Sequence, residues 1–278
     1  MKANIVGMMT DLEVAGPIGV FDSGIGGLSV LKHIRRLLPA ESLLYVADTG
    51  HLPYGSKPPD VVLRRSVAIS RFLVERGAKA IVVACNTATA VAVAELRQRF
   101  ALPVIGVEPG LKPGISRSRG GVVGVLATEG TLGSEKFRRL VSAHGQQRQV
   151  IVQPCPGWVE QVESCTFDSA GARELIASII TPLLRQGVDT LVLGCTHYPY
   201  LRPLIQELAG PEVEIVDTGP AIARELQRRL DLLGLLTDSA VAGNERFWVS
   251  GDARSAGWQF ARLWRAGCLL EPLPGSVK

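Results

Sequence analysis

The sequence predicts an α/β protein of two similar three-layer αβα domains with mainly parallel sheets, related by pseudo-twofold symmetry around a shared cleft that holds the active site. Apolar strands alternate with helical patterns along the chain, which is typical of parallel sheets covered on both faces. Motifs of the first half return in the second half, since Gly124 follows Gly19 by 105 residues. Each half also has a cysteine directly after an apolar run, and Cys195 follows Cys85 by 110 residues. Chance similarity between hydrophobic strands is the alternative explanation of the repeat.

The first half opens with a predicted strand at 18–21, a glycine-rich turn at 22–27 and a helical pattern at 28–38. Glycines permit a tight turn whose free N–H groups favour an anion, but their spacing is not G-x-G-x-x-G, which argues against a dinucleotide site. The loop at 48–59 is too rich in proline and glycine for regular structure. The remaining predicted elements of this half are strands at 43–47, 80–83 and 104–107 and helices at 61–75 and 87–100.

A stretch rich in glycine, proline and serine at 109–121 is interpreted as the crossing into the second half. That half has predicted strands at 122–126, 149–152, 189–193 and 213–216 and predicted helices at 131–143, 169–186 and 200–208. The elements beyond the repeat are a helix capped by Thr218 and ending near Leu233, a strand at 247–249 and a helix at 253–265. They are expected to pack on the first half. The predicted domains are therefore 1–109 with 218–278, and 110–217.

The composition argues against several classes of protein. The net charge is +4, but the basic residues are scattered over helix faces, which argues against a nucleic-acid partner. Five cysteines without a CxxC pair indicate neither a disulfide framework nor a zinc module, so no metal site is predicted. No secretion signal and no apolar run long enough to cross a bilayer is present, so no membrane association is expected. Free thiols then indicate a reducing cytoplasm.

The two strand-end cysteines predict proton-transfer chemistry. A thiolate is a good base, and its pKa is expected to fall beside a cation or at a helix N-terminus, where Cys85 and Cys195 both stand. One thiolate can take a proton while the other thiol gives one to the opposite face of the same carbon, which inverts a stereocentre. Asp22 and His197 are placed to tune one thiol each. Neutral donors and acceptors for a carboxylate and an amine are Ser23, Asn86, Thr87 and Thr196. Packing in the core is the alternative role for both cysteines.

Other candidate residues carry less weight. The remaining histidines have no ligand-spaced partners: His33, His51 and His144. The remaining cysteines are expected to pack or to stay idle: Cys155, Cys165 and Cys268. Asp48 and Glu108 could be cleft carboxylates, but solvated or capping roles are the stronger expectation.

The chain resembles the glutamate racemases, which are cofactor-independent enzymes that interconvert L- and D-glutamate for bacterial peptidoglycan. The resemblance runs nearly end to end, and the two cysteine motifs together are specific. It lies in the motifs Phe21-Asp22-Ser23-Gly24-Ile25-Gly26-Gly27-Leu28, Ala47-Asp48, Pro53-Tyr54-Gly55, Ala84-Cys85-Asn86-Thr87-Ala88, Gly106-Val107-Glu108-Pro109, Gly124-Val125-Leu126-Ala127-Thr128, Gly194-Cys195-Thr196-His197-Tyr198-Pro199 and Asp217-Thr218-Gly219-Pro220.

The resemblance implies that Cys85 and Cys195 are the catalytic thiols, assisted by Asp22 and His197 respectively. A further catalytic carboxylate corresponds to Glu163, with Glu160 as the alternative. The implied substrate-binding residues are Asp22, Ser23, Tyr54, Gly55, Asn86, Thr87, Thr196 and His197. The family also implies a homodimer without metal or cofactor. Activation by a peptidoglycan precursor stays open, with residues 1–16 as the candidate regulatory arm or, equally, a disordered segment.

Two other functions stay open at this stage. An aspartate or broad-specificity amino-acid racemase would share both thiols and differ in how the side-chain carboxylate is held. A non-catalytic binding protein for an acidic amino acid would use the same cleft without inversion. Binding alone needs neither sulfur, so the presence of both thiols argues against the second alternative.

Overall fold

The computed structural model of the protein describes residues 13–145, 148–275 and 277, which form two parallel sheets flanked by helices. The strands are β1 (Ile18–Asp22), β2 (Leu43–Ala47), β3 (Ala80–Val83), β4 (Val104–Gly106), β5 (Val122–Ala127), β6 (Gln149–Pro154), β7 (Thr190–Leu193), β8 (Glu214–Val216), β9 (Glu245–Val249) and β10 (Leu270–Pro272). The helices are α1 (Leu28–Leu37), α2 (Pro59–Val74), α3 (Asn86–Arg99), α4 (Leu111–Arg117), α5 (Glu129–Leu132), α6 (Glu135–His144), α7 (Trp158–Glu163), α8 (Ala170–Arg185), α9 (Arg202–Ala209), α10 (Gly219–Leu232) and α11 (Ala253–Leu263).

The two sheets repeat one topology. Among the described residues the first sheet has the order β10-β9-β2-β1-β3-β4 and the second the order β6-β5-β7-β8. Each strand pairs in parallel with its neighbours, so β5, β6, β7 and β8 take the places of β1, β2, β3 and β4. The prediction of two similar α/β units with parallel sheets is therefore confirmed. Strands β9 and β10 extend the first sheet beyond the repeat, through pairing of β9 with β2.

The central strands form because their residues are apolar on both faces. Every position of β1, β2, β3 and β7 is buried, as expected for parallel strands covered by helices on both sides. One continuous apolar cluster includes Val20 of the first sheet and Leu193 of the second. Helix α10 packs against α1, which ties the region after the repeat to the first sheet. The two units thus share part of their core.

Three predicted elements differ from the structure. The single helix expected at 131–143 is two helices, α5 and α6, because Ser134 accepts a hydrogen bond from Phe137 N and starts a new helix. The crossing segment contains a short helix, α4, which its glycine and proline content hid. Thr218 occupies the position before α10, but its side chain makes no capping hydrogen bond. Asp217 Oδ1 instead accepts from Gly219 N at 3.0 Å.

Further short elements were not predicted: helix α7, strand β10 and 3-10 helices at Thr49–His51, Tyr54–Ser56 and Tyr198–Tyr200. The first two 3-10 helices lie in the loop at 48–59, which was expected to lack regular structure. The candidate regulatory arm consists of residues 1–16. Residues 1–12 of this arm lie outside the described residues. Across the described part of the chain, the helices are all too short or too polar to span a bilayer.

Candidate active site

Three strand ends carry the polar residues that the sequence singled out. Asp22 is the last residue of β1, Cys85 follows β3 and is the N-cap of α3, and Cys195 comes two residues after β7. Strands β3 and β7 are equivalent in the two units, and β1 lies beside β3. Parallel sheets bind ligands at the carboxyl ends of their strands, and these residues stand at those ends.

Cys85 is held at the start of α3 by two hydrogen bonds. Its Sγ accepts from Ala88 N at 3.4 Å and donates to Ser23 Oγ at 3.7 Å. Burial raises the pKa of the Cys85 thiol well above its ordinary value, and the charge of Asp22 raises it further. The hydrogen bond from the helix N-terminus lowers the pKa by less than this. The expected lowering of the thiol pKa at a helix N-terminus is therefore wrong for Cys85, because burial outweighs the hydrogen bond from Ala88 N.

Cys195 stands beside an ion pair. Its Sγ lies 3.6 Å from His197 Nδ1, and His197 Nε2 lies 2.7 Å from Glu163 Oε1. His197 is 1% exposed and Glu163 is 8% exposed. Burial opposes a charged imidazole, but the hydrogen bonds with Cys195 and Glu163 outweigh it and hold the pKa of His197 well above its ordinary value. A charged imidazole at His197 would lie close enough to Cys195 Sγ to stabilise negative charge on the sulfur.

The sequence left two carboxylates as candidates for the accessory acid. Both belong to α7, but Glu160 is exposed whereas Glu163 turns inward and also accepts from Ile25 N at 2.8 Å. Glu163 is thus bound to the turn after β1 as well as to His197. The geometry favours Glu163 over Glu160 for the role beside His197.

Asp22 connects the two cysteine turns. Its Oδ2 accepts from Gly27 N at 2.8 Å, and Thr196 Oγ1 lies 3.3 Å from both of its carboxylate oxygens. Burial raises the pKa of Asp22, while the charge of His197 opposes the rise. Asp22 is thus hydrogen-bonded to the turn of Cys195 through Thr196, and its charge raises the pKa of Cys85.

The glycine-rich turn is shaped by close approach of the second unit. A Cβ on Gly24 would lie 2.0 Å from Glu163 Oε1, and one on Gly26 would lie 2.4 Å from His197 Nδ1. Any side chain there would displace the ion pair. The glycines predicted to form a tight, anion-favouring turn thus also leave room for His197 and Glu163.

A cluster of three threonines joins the two units on the Cys85 side. The hydroxyls of Thr87, Thr128 and Thr131 lie 3.1 Å from one another. Thr87 was predicted to bind substrate, whereas Thr131 was missed. Gly55 packs closely against the same cluster, because a Cβ on it would lie 2.9 Å from Thr128 Cβ.

The structure corrects the interpretation of Asp48. Solvated or capping roles were expected, but its side chain is fully buried and bound by Tyr54 and Arg65. Burial alone would raise the pKa of Asp48, but the hydrogen bonds from Arg65 and Tyr54 hold it below its ordinary value. Arg65 was missed because nothing in a helical pattern marks one arginine among several as buried. Glu108, by contrast, is half exposed and pairs with Lys136 at 2.9 Å.

The other predicted polar residues also line this region. Ser23, Asn86 and Thr196 are each 5% exposed. The Asn86 side-chain oxygen is buried and has no hydrogen-bond partner among the described residues. Cys155 and Cys165 are buried in the core, as expected for packing residues. In the described ranges no three His, Cys, Asp or Glu side chains are grouped as metal ligands would be.

Comparison with known proteins identifies the family. The model of the Asp/Glu/Hydantoin racemase family matches residues 18–226. A glutamate racemase from Methylococcus capsulatus is 58% identical over 258 residues, covering 93% of this chain and 95% of that protein.

Solved structures agree in fold over nearly the whole chain. Glutamate racemase RacE1 from Bacillus anthracis matches with a TM-score of 0.87 and 34% identity, over 95% of this chain and 99% of that one. Escherichia coli glutamate racemase, solved with L-glutamate and the activator UDP-MurNAc-Ala, matches with a TM-score of 0.82 and 33% identity, over 93% and 98%. The paired cysteine turns at equivalent strand ends are consistent with these matches. The chain belongs to the Asp/Glu/Hydantoin racemase family, among its glutamate racemases.

Proposed function

We propose that the protein interconverts L- and D-glutamate without a cofactor, with Cys85 and Cys195 as the two proton-transferring thiols. The observation that carries the proposal is the position of the two thiols at equivalent strand ends of the two units, with Asp22 and His197 beside them. The charge of Cys195 contributes to the raised pKa of Cys85, so the two sulfurs act on each other electrostatically. The choice of glutamate is supported by the similarity to glutamate racemases.

The proton transfers balance without an external acid or base. A thiolate at Cys195, stabilised by the His197 imidazolium, takes the α-proton from one face of the substrate. The Cys85 thiol gives its proton to the opposite face, so the product has the inverted configuration and the roles of the two sulfurs are exchanged. An enzyme with a protonated Cys85 and a thiolate at Cys195 accepts the enantiomer whose α-hydrogen faces Cys195. The reverse reaction starts from the exchanged protonation state.

Stabilisation of the carbanion is the demanding part, because the α-proton of an amino acid is weakly acidic. Hydrogen-bond donors directed at the substrate carboxylate supply most of it in a cleft that excludes water. We assign substrate binding to Ser23, Thr87, Thr196 and the Tyr54–Gly55 segment. The Asn86 side-chain oxygen, buried without a partner among the described residues, can accept from the substrate ammonium group.

Several wider features belong to the same proposal. We assign residues 1–109 with 218–278 to one domain and 110–217 to the other, and the pairing of β9 with β2 supports this division. We expect the two domains to close during turnover.

The D-glutamate product would supply peptidoglycan synthesis. We propose the cytoplasm as the compartment, because both thiols must stay reduced. A homodimer and activation by a peptidoglycan precursor are further proposals, the latter resting on the activator bound by the Escherichia coli enzyme.

The test is racemisation of D-glutamate in D₂O without added cofactor, followed by circular dichroism and by exchange of the α-proton. Wild type should lose optical activity and gain deuterium. Cys85→Ala and Cys195→Ala should each lose racemisation by at least about 1000-fold, because each removes one of the two bases. Cys268→Ala is the matched control, since Cys268 lies outside the cleft on the segment between α11 and β10.

Three other results would favour another function or contradict the mechanism. Faster turnover of aspartate than of glutamate would favour an aspartate or broad-specificity racemase. Binding of glutamate without loss of optical activity and without exchange would favour a binding protein. Full activity in either cleft variant would contradict the two-thiol mechanism.

A further inference from the structure

The Tyr54 side chain is anchored inside the protein through its hydroxyl group. Tyr54 is 1% exposed, and its hydroxyl donates to Asp48 Oδ2 at 2.5 Å. Both residues belong to the segment 48–56 that follows β2 and contains two short 3-10 helices, Thr49–His51 and Tyr54–Ser56. Because its hydroxyl is bound to Asp48, Tyr54 fixes the path of the segment that carries Gly55.

Asp48 is in turn held rigidly by Arg65, which lies on α2. Arg65 Nε donates to Asp48 Oδ2 at 2.9 Å, and Nη2 donates to Oδ1 at 2.7 Å. The third guanidinium nitrogen, Nη1, donates to the carbonyl of Val277 near the end of the chain. A bidentate arginine–carboxylate pair fixes the orientation of the carboxylate as well as its distance from the guanidinium group. Asp48 is fully buried and Arg65 is only 7% exposed, so the pair holds the Tyr54 hydroxyl from the protein interior.

The same network reaches the reacting groups. Asp48 N donates to the Asp22 carbonyl at 3.0 Å, so the residue is bound at the end of β1 through its backbone as well. On the other side, Gly55 packs against Thr128, whose hydroxyl lies 3.1 Å from that of Thr87. Movement of the Tyr54 ring would therefore move a wall of the cleft where the two units meet.

Charge adds a second reason for the arrangement. Asp48 is a carboxylate close to a cleft proposed to bind an anionic amino acid, and Arg65 neutralises it. Loss of the arginine would leave a negative charge behind the binding segment, and loss of the aspartate would leave the Tyr54 hydroxyl without its anchor.

We propose that Asp48 and Arg65 are positioning residues for substrate binding, acting through the Tyr54 hydroxyl on the Tyr54–Gly55 segment. The inference rests on the proposed function. It predicts that weakening the network lowers affinity for glutamate more than it lowers the rate of proton transfer, because neither residue touches the thiols in the structure.

The test compares Asp48→Asn, Tyr54→Phe and the double variant. Racemisation kinetics supply kcat and KM, and calorimetric titration with D-glutamate supplies Kd independently of turnover. We expect KM and Kd to rise about tenfold in each single variant, with kcat within about threefold of wild type. The double variant should resemble the single ones, because Tyr54→Phe removes the hydrogen bond that Asp48→Asn weakens by taking away the charge of its acceptor.

Two arginines on α2 provide a matched comparison. Arg64 forms an exposed pair with Asp60 at 2.6 Å, so Arg64→Gln should leave KM and Kd unchanged. Arg65→Gln should raise them, and Arg65→Lys should restore part of the affinity by keeping the charge. If Asp48→Asn or Arg65→Gln fails to fold, Tyr54→Phe decides the question, since it removes a single oxygen atom.

Three results would overturn the inference. The first is a KM and Kd within twofold of wild type in Tyr54→Phe. The second is additive effects in the double variant, and the third is a parallel loss of kcat and thermal stability without a change in Kd. If wild type binds D-glutamate without racemising it, the proposed function fails while the Kd comparison still decides this inference. If wild type neither binds nor turns over glutamate, both fail.

Discussion

Glu163 and His197 form a buried ion pair in which the carboxylate Oε1 lies 2.7 Å from the imidazole Nε2. Because Nε2 is taken, Nδ1 is the nitrogen that lies 3.6 Å from Cys195 Sγ. Glu163 also accepts from Ile25 N, so the pair is fixed to the turn after β1 as well as to the turn after β7. The orientation of the imidazole beside the thiol thus depends on a carboxylate 34 residues earlier in the chain.

Glu163→Gln should slow racemisation about 10- to 100-fold, because the neutral amide keeps the shape of the contact but no longer stabilises the imidazolium. Burial, which lowers the pKa of His197, would then be opposed by fewer partners, so this pKa should fall. The alkaline limb of kcat should move to lower pH by about one unit. Glu160→Gln, on the exposed face of α7, is the control. Equal pH profiles in the two variants would contradict the role of Glu163.

The positions of the strands and of the cysteine turns could be predicted from sequence because buried parallel strands are continuous apolar runs. Val82 and Val83 leave no polar face, and the residues after them must then stand at a strand end. The break between α5 and α6 could not be predicted in this way. The helical pattern continues through Gly133, and the hydroxyl of Ser134 separates the two helices by accepting from Phe137 N and donating to Thr131 O.

The partners of buried charges were the hardest part of the site to predict. Asp48 stands in a loop rich in proline and glycine, where an exposed carboxylate is the ordinary expectation. Its partner Arg65 lies 17 residues away on another element, and no local pattern marks it. The same applies to the choice between Glu160 and Glu163, since both lie on one short helix and only the fold determines which one reaches His197.

Gly26→Ala should reduce kcat by at least about 100-fold, because the added Cβ would lie 2.4 Å from the ring of His197 and must displace it. Far-UV circular dichroism should remain that of the folded protein. Gly257→Ala is the matched control. Gly257 lies inside α11, and a methyl group added to it would meet no neighbouring atom of the described residues within 4 Å. Alanine there should therefore retain activity and raise helix stability by about 0.5–1 kcal/mol. Wild-type kinetics in Gly26→Ala would contradict the assigned position of His197.

Thr131→Val should raise KM about three- to tenfold, because the hydroxyls of Thr87 and Thr128 each lose a hydrogen-bonding partner at the junction of the two units. The free energy of unfolding should fall by about 0.5–1.5 kcal/mol, the net contribution of a lost hydrogen bond, since Thr87 and Thr128 still pair with each other. Thr131→Ser keeps the hydroxyl and should behave nearly as wild type in both measurements. If serine and valine had the same effect, the methyl group rather than the hydroxyl would be what matters.

The pair of Asp48 and Arg65 should make stability depend on pH in a defined direction. Burial raises the pKa of Asp48, but the hydrogen bonds from Arg65 and Tyr54 outweigh it, so the folded-state pKa lies below the unfolded value of about 3.9. The stabilisation is therefore complete above that unfolded value and is lost as pH falls through the lower, folded value. In Arg65→Met, burial is opposed by fewer partners and the folded-state pKa should rise above the unfolded one, which reverses the sign.

Arg65→Met should consequently lower the free energy of unfolding by about 3–5 kcal/mol near pH 7.5, since it leaves a buried carboxylate without its cation. Near pH 4.5 the difference from wild type should narrow by about 1 kcal/mol or more, because the variant no longer has to keep Asp48 ionised. Urea unfolding at the two pH values measures both quantities. Arg64→Met, which breaks only an exposed pair, should leave stability unchanged at either pH. A pH-independent difference for Arg65→Met would mean that the lost contacts of the arginine side chain, and not the charge of Asp48, cause the destabilisation.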